Sequence, residues 1–360
     1  MVAMATGFSV AVVGAGLGAA PHFAALTDLR DAYPLTWVCA RDEQRLAATA
    51  VPHGAQRTTR LQDILDDPQV GAVLVLTPPA AHMDVVRQVA DAGKHVLVEK
   101  PLERDADRAC AMVDYCESRH ITLGVMLQHR LRGGALRLAQ LLRAGALGEV
   151  QGASMQVRWW RAQSYYDAPG RGTRARDGGG VLMTQAIHTL DLLLTLIGLP
   201  QRVTGAVSTS AVHTMECEDC ASALLHYPGG MAVVVQATTA AYPGYPERIE
   251  IDAALGTATL ESGCLRVAYR DGRSETVEHD AGTGGGADPM AFDHGPHRTV
   301  LRDFLDAVRD NRAPHVTGRS ALDVQRVIEA IVASSQLGHS VPMRPLLPDD
   351  AAQDLPLRYV

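Results

Sequence analysis

The first third of the chain alternates short apolar runs with longer stretches in which apolar residues recur every three or four positions. Short continuous apolar runs are typical of strands buried on both faces, and the longer period is typical of helices that cover them. The alternation therefore predicts a doubly wound parallel sheet. Its predicted strands are 8–13, 35–39, 73–77, 95–99 and 122–126, and its predicted helices are 20–29, 43–50, 81–92 and 104–119.

The pattern changes after Arg130. Helical residues 135–144 and strand 150–158 precede a glycine triplet at 178–180, from which a long apolar helix extends to about residue 197. Strand patterns then follow one another without helices between them, which predicts an antiparallel sheet. These strands are 221–227, 231–238, 248–253, 257–261 and 265–269, and the closing helices are 296–311 and 320–336. Residues 282–286 are predicted to form a mobile loop.

These patterns predict an α/β protein in three parts. Residues 1–128 form the doubly wound domain, residues 129–342 form an α/β domain with an open, mainly antiparallel sheet, and residues 343–360 form a C-terminal tail. The length of 360 residues agrees with two domains, because single cores stop growing at roughly 250–300 residues.

Composition excludes several classes of function. The formal net charge is −7, from 33 Lys+Arg and 40 Asp+Glu, with no basic cluster of the kind that binds nucleic acid. Apolar runs stop short of the ~18 residues of a membrane span. Residues 8–20 could pass for a signal peptide, but no Lys or Arg precedes them. We therefore expect a cytoplasmic protein without a nucleic-acid or membrane partner.

The six cysteines are too sparse for a disulfide framework. Cys217 and Cys220 have the spacing of metal ligands, but no second pair accompanies them. We expect no metal site.

A glycine-rich turn follows the first predicted strand. Gly14, Gly16 and Ala19 match the G-x-G-x-x-G/A pattern, in which the glycines permit a tight turn and the approach of a pyrophosphate. The turn lies between a strand and a helix, as dinucleotide binding requires. We predict contacts with the dinucleotide at Gly14, Gly16, Leu17 and Gly18.

The end of the second strand bears on the choice of cofactor. An acidic residue at that position usually binds the free ribose of NAD, but this chain has Ala40 followed by Arg41. An arginine can pair with the 2′-phosphate of NADP. The alternative is an exposed Arg41, with Asp42 taking the acidic role one residue late. NADP is favoured over NAD.

Three further motifs occur together. They are Thr77-Pro78-Pro79 with His82, the segment 93–101 that ends in Glu99-Lys100-Pro101, and Gly178-Gly179-Gly180 followed by His188 and Asp191. From about Ser9 to about Pro342 the chain resembles the Gfo/Idh/MocA oxidoreductase family. The resemblance implies a Rossmann domain, NAD or NADP as cofactor, and a second sheet that carries the contacts of a homo-oligomer (a dimer or tetramer). Further cofactor contacts implied by it are Thr77, Pro78, Pro79, His82, Glu99, Lys100 and Gln128.

Lys100 and His188 are the candidate catalytic residues. Lys100 follows a buried strand at the carboxyl edge of the first sheet, where open α/β sheets bind ligands, although a lone lysine is more often solvated. A lone histidine on an apolar helix is more often a core residue. The resemblance implies a catalytic lysine at Lys100 and a catalytic or substrate-binding histidine at His188. Asp191 either orients His188 or anchors the helix.

Thr184 lies one helical turn before His188 and is a candidate substrate contact. Inositol-dehydrogenase-like members of the family have Asp at this position. Threonine cannot act as a general base at neutral pH. Proton transfer then falls to Lys100 or His188, and specificity for polyols of the inositol type is not expected.

Aromatic and arginine residues are concentrated between positions 159 and 174. Together with residues 294–298, this segment resembles the branch of the family that contains UDP-N-acetylglucosaminuronate 3-dehydrogenases. Aromatic faces there could stack on a sugar or uracil ring, and arginines could hold a carboxylate or diphosphate. The alternative is that the aromatic residues pack between the domains. The candidate substrate contacts are Trp160, Arg161, Tyr165, Tyr166, Arg171 and Arg174.

The sequence thus predicts an NAD(P)-dependent oxidoreductase that transfers a hydride to or from a ring carbon of a sugar or nucleotide sugar. A UDP-sugar uronic acid oxidised at the 3-position is one such substrate. The alternatives are a polyol or aldose dehydrogenase, a redox-assisted lyase or glycosidase that recycles its cofactor, and a non-catalytic NADP-binding regulator.

Overall fold

The computed structural model describes residues 7–278 and 293–343. The loop predicted at 282–286 lies outside the described residues. The same is true of residues 344–360, which make up nearly all of the predicted tail.

The first sheet has six parallel strands, as its apolar sequence predicts. They are β1 (Ser9–Val13), β2 (Leu35–Cys39), β3 (Gln56–Thr58), β4 (Val70–Val75), β5 (His95–Val98) and β6 (Leu123–Val125). Their order is β3-β2-β1-β4-β5-β6, and it reverses direction between β1 and β4. Ligands of such sheets bind at the carboxyl ends of the strands near this reversal. The predicted doubly wound domain is confirmed.

Five helices connect these strands. They are α1 (Ala20–Asp28), α2 (Glu43–Ala48), α3 (Leu61–Leu65), α4 (His82–Asp91) and α5 (Ala106–Ser118). A single 3-10 turn, Leu17–Ala19, precedes α1. The sequence pattern did not predict β3 or α3, because β3 is short and its first two residues are exposed and polar.

The second sheet has nine strands in the order β14-β13-β12-β11-β7-β10-β9-β8-β15. They are β7 (Val150–Arg158), β8 (Arg202–Ser208), β9 (Cys220–His226), β10 (Ala232–Thr238), β11 (Arg248–Ala253), β12 (Gly256–Glu261), β13 (Cys264–Tyr269), β14 (Ser274–Val277) and β15 (Val341–Pro342). Only β10 and β7 pair in parallel, so the prediction of a mainly antiparallel sheet is confirmed. Strands β8, β14 and β15 were not predicted.

Within the described residues, six helices accompany the second sheet. They are α6 (Gly133–Arg143), α7 (Gln163–Tyr166), α8 (Arg174–Asp177), α9 (Ile187–Ile197), α10 (Gly295–Arg309) and α11 (Gly318–Leu337). The helix predicted after the glycine triplet is not α-helical throughout, because its first full turn, Leu182–Ala186, is a π-helix. Single π-helical turns inside α-helices are rare and frequently lie at functional sites.

The core connects the two sheets. Helix α10 packs against α1, and its Leu301 and Phe304 belong to the same buried cluster as Phe23 and Leu26 of α1. The chain therefore returns to the first sheet after completing most of the second. One helical stretch among the described residues, Arg174–Ile197, is long and apolar enough to cross a membrane, but 78% of its most apolar part is buried inside the protein.

Candidate active site

Lys100 joins the carboxyl edge of the first sheet to the π-helical turn. Its Nζ donates a hydrogen bond to the carbonyl oxygen of Thr184 at 2.7 Å. Burial lowers the pKa of Lys100 and the nearby Arg171 guanidinium lowers it further, whereas the carboxylates of Glu99 and Asp177 oppose both effects. The result is an amine that gives up its proton more readily than an ordinary lysine.

A cavity of about 170 Å³ opens beside Lys100. A small cleft at this edge of the sheet is where the fold places a substrate. Six of the predicted site residues line it, namely Pro79, Lys100, Tyr165, Tyr166, Arg171 and Thr184. The same wall also contains Asp177 and Met215, which were not predicted. Asp177 directly precedes the glycine triplet, which was the one available signal, whereas Met215 had none.

Arg171 has no hydrogen bond or ion pair from its side chain within the described part of the chain. Its guanidinium lies over the Tyr165 ring, 4.1 Å from the ring centroid. Tyr165 meets Tyr166 edge-on at 5.0 Å, and the Tyr166 hydroxyl lies 2.7 Å from Thr239 Oγ1. The aromatic pair therefore holds Arg171 at the cavity while its N–H donors stay available for an anion.

His188 does not line this cavity; it is buried and stacks on His129, with the ring centroids 5.1 Å apart. Burial lowers its pKa well below the ordinary value, and the nearby charge on Lys100 adds to this effect. Among the described residues, His188 Nδ1 has no hydrogen-bond partner. The structure thus presents a neutral imidazole whose ring plane is held by stacking.

Asp191 anchors helix α9 and does not orient His188. Both of its carboxylate oxygens accept hydrogen bonds from Arg130, with 2.7 Å between Arg130 Nε and Asp191 Oδ2. Of the two roles left open by the sequence, this geometry supports the anchor.

Besides His188, three predicted substrate contacts lie outside the wall of the cavity that contains Lys100. Trp160 packs against Tyr242, with ring centroids 5.5 Å apart. Arg161 is buried against the rings of Trp159 and Tyr165, and burial lowers its pKa. Arg174 lines a separate cavity of about 430 Å³, whose wall also contains three acidic residues, Asp105, Glu218 and Glu329.

The glycine turn has the shape that a dinucleotide requires. Gly14 has a φ of +112°, and a Cβ there would lie 2.7 Å from the carbonyl group of Leu76, so the fold itself requires glycine. Gly16 and Gly18 are exposed, and a Cβ on either would meet no atom within 4 Å. Leu17 follows Gly16 at the start of the 3-10 turn. Free space at the second glycine is where the backbone of such turns approaches a pyrophosphate.

Two buried polar atoms near the carboxyl edge have no partner within the described residues. They are Thr77 Oγ1 and Gln128 Oε1. Buried polar atoms are normally hydrogen-bonded, so each is suited to a polar group of a bound molecule. With the glycine turn, these residues fit a nicotinamide dinucleotide.

The Thr77-Pro78-Pro79 segment is held by His82. This side chain is fully buried, with Nε2 2.7 Å from the Thr77 carbonyl oxygen and Nδ1 3.0 Å from that of Leu102. Burial lowers the pKa of His82. In the neutral ring only one nitrogen carries a proton. His82 therefore donates a hydrogen bond to one of the two carbonyl oxygens and only contacts the other.

Glu99 faces α1 at the end of β5. Its Oε1 lies 2.9 Å from His22 Nε2, and its Oε2 accepts the Lys100 backbone N–H at 2.9 Å. Burial opposes ionisation, but the hydrogen bond from His22 and the surrounding positive charges lower the pKa of Glu99 to about 2. Glu99 is therefore a carboxylate at neutral pH.

The end of β2 contains Ala40 and Arg41, on which the predicted cofactor preference depends. Ala40 donates its backbone N–H to Thr58. Arg41 is exposed and, among the described residues, its side chain has no hydrogen-bond or ion-pair partner. Its guanidinium is therefore available to a phosphate.

Comparison with known proteins identifies both halves of the chain. Residues 8–127 match the oxidoreductase family with an NAD-binding Rossmann fold, and residues 135–259 match the GFO/IDH/MocA C-terminal domain. D-apiose dehydrogenase from Paraburkholderia graminis is 26% identical over 350 residues, which cover 94% of this chain and 90% of that protein. D-xylose 1-dehydrogenase (NADP(+)) 2 from Haloferax volcanii is 27% identical over 324 residues, which cover 85% of this chain and 91% of that protein.

A similar solved structure is the WlbA dehydrogenase from Chromobacterium violaceum in complex with NADH and UDP-GlcNAcA. It is 27% identical and has a TM-score of 0.82, and the match covers 96% of this chain and 98% of the WlbA chain. These findings confirm the resemblance drawn from the sequence motifs.

The glycine turn yields a prediction that separates binding from folding. Gly16→Ala should weaken NADH binding by about 10-fold or more while leaving the melting temperature unchanged, because the added methyl group meets no protein atom but occupies the approach of the pyrophosphate. Fluorescence titration and thermal unfolding measure the two effects. Gly133→Ala, in the first turn of α6, is the matched control and should alter neither. Unchanged NADH affinity in Gly16→Ala would contradict the assignment.

Proposed function

Because the chain belongs to the Gfo/Idh/MocA oxidoreductase family, we propose that it transfers a hydride between NAD(P) and a hydroxyl-bearing ring carbon of an anionic sugar. The dinucleotide, when bound, supplies the hydride chemistry. The sugar carries a carboxylate or a diphosphate, as a UDP-sugar uronic acid does, and the 3-position is the proposed site of oxidation.

The observation that supports this proposal most directly is that Arg171 and Lys100 line the same cavity. Arg171 has donors that no described residue uses, so they can bind an anionic group of a substrate. Asp177 is the one acidic residue in this wall, and it already accepts the Gly172 backbone N–H at 2.8 Å and pairs with Arg176 at 3.6 Å. A carboxylate or diphosphate of the substrate would occupy the donors of Arg171. The UDP-GlcNAcA bound by the WlbA dehydrogenase has this chemistry.

Lys100 is proposed to exchange the proton of the reacting hydroxyl. Its lowered pKa increases the fraction of neutral amine that can accept this proton near neutral pH. His188, neutral and fixed by His129, is proposed to hydrogen-bond the same hydroxyl and hold it toward Lys100. Thr184 positions Lys100 through its carbonyl oxygen.

A substrate panel tests the proposed class. Purified protein is offered NAD⁺ or NADP⁺ with UDP-sugar uronic acids, UDP-hexoses, free aldoses or inositols, and nicotinamide absorbance is recorded. We expect reduction with the anionic sugars. Arg171→Met should raise KM for them by about 10–100-fold, since a hydrogen bond to a charged group contributes ~1.5–3 kcal/mol. Arg174→Met is the matched control, because Arg174 lies in the other cavity.

Turnover confined to neutral sugars would contradict the anionic class. No change in absorbance with any sugar, combined with tight cofactor binding, would instead favour an internally recycled cofactor or a regulatory protein.

The role of Lys100 is tested by two substitutions. Lys100→Met should reduce kcat by ~100-fold or more, because the proton acceptor is removed. It should weaken NADH binding far less, because Lys100 is only one of several expected cofactor contacts. Lys100→Arg keeps the positive charge and the donors, but its guanidinium cannot accept a proton near neutral pH. Both variants should therefore be slow. Recovery of activity in Lys100→Arg would mean that charge alone, and not proton transfer, is required.

Within NAD(P), we propose a preference for NADP. Arg41→Ala should weaken NADPH binding by about 10–100-fold, because a charge-assisted pair with the 2′-phosphate is lost. NADH affinity should change little. Fluorescence titration of both cofactors measures this, with the exposed Arg30→Ala as control. Equal loss for both cofactors, or no loss, would rule out the preference.

A further inference from the structure

Three ligating side chains from distant parts of the chain meet between α1 and α10. They are His22 in α1, Glu99 at the end of β5 and His297 in the first turn of α10. One potential ligand atom from each lies within 4.8 Å of the other two. The rings of His22 and His297 meet edge-on with centroids 5.1 Å apart. Neither histidine has a role predicted from the sequence.

The surroundings of this cluster hold its three side chains in defined orientations. The imidazoles of His22 and His297 are 1% and 4% exposed, so the fold holds both rings in place. Glu99 is also oriented, because its second carboxylate oxygen accepts the Lys100 backbone N–H at 2.9 Å. Hydrogen bonds of this kind fix the ligating carboxylates of metal sites.

One further observation favours a ligand. The Glu99 side chain is 23% exposed, which leaves the cluster open on one side. A metal site needs such an entry path and a position for water.

We propose that His22, Glu99 and His297 form a binding site for a divalent transition-metal ion such as Zn²⁺. Two imidazoles and one carboxylate, with a fourth position open to water, form an established ligand set for this ion. Zinc ligands lie about 2.0–2.2 Å from the ion, so an ion between His22 Nε2 and Glu99 Oε1, now 2.9 Å apart, would move these two atoms slightly apart. The Glu99 side chain is more exposed than the two histidines and would make most of this adjustment. The ion would then replace the direct contact between His22 and Glu99.

Direct metal binding tests the proposal independently of any turnover. The full chain, free of affinity tags and stripped with chelator, is dialysed against buffered Zn²⁺, and the bound metal is measured by mass spectrometry. We expect one ion per chain and a melting temperature that rises with Zn²⁺, because an ion that binds only the folded state stabilises it. His297→Gln should lower the affinity by at least ~100-fold, more than the ~10–100-fold that loss of an outer hydrogen bond causes.

Two further variants make the test decisive. Glu99→Gln keeps the size and shape of the side chain while removing a ligand, so it serves if His297→Gln fails to fold. His294→Gln is the matched control, because His294 precedes α10 and binds Asp28 outside the cluster. Failure of the wild-type protein to take up Zn²⁺, or unchanged uptake in both ligand variants, would overturn the proposal. Loss of the ion in His294→Gln alone would place it at the surface and would also overturn it.

Discussion

The buried ion pair between Arg130 and Asp191 holds the two halves of the active site in register. Arg130 lies in the 3-10 turn after β6, whereas Asp191 lies on α9 beyond the π-helical turn. Both side chains are at least 94% buried, and Arg130 also donates to Ser320 of α11 at 2.9 Å. Burying an unpaired charge is strongly unfavourable, so these three segments have few alternative arrangements. The position of α9 relative to Lys100 follows from this pair.

The π-helical turn Leu182–Ala186 adapts the start of the helix to that position. In a regular α-helix, residues four apart lie on one face. Thr184 lies within the wider turn, which continues to Ala186. The rule therefore does not apply between Thr184 and His188. Thr184 accordingly lines the cavity, and its carbonyl oxygen accepts a hydrogen bond from the Lys100 ammonium group. His188 packs on His129 instead.

The pKa of Lys100 results from opposing interactions that the fold holds in place. Burial and Arg171 disfavour a charged Lys100, while Glu99 and Asp177 favour it. Glu99 contributes because the hydrogen bond from His22 and the charge on Lys100 keep its own carboxylate ionised. The same carboxylate thus interacts with both the reactive lysine and the pair of histidines between α1 and α10. Two consecutive residues that directly follow β5 therefore connect two sites with different chemistry.

Much of this protein was determined by its sequence alone. Apolar periodicity is a local property, and it identified most strands and helices and the change from a parallel to an antiparallel sheet. The glycine turn and the Glu99-Lys100-Pro101 motif were also local, because each places its residues at the end of one strand. Short polar elements such as β3 were missed, since they carry little apolar signal.

Only the tertiary structure decided which side chains share a cavity. Arg171 and Arg174 are three residues apart, yet they line different cavities. Asp191 anchors α9 because Arg130, far away in the chain, reaches it. His22 and His297 meet because α10 returns to pack on α1. Contacts between distant segments depend on how the helices pack on both sheets, and no local pattern of residues records that packing.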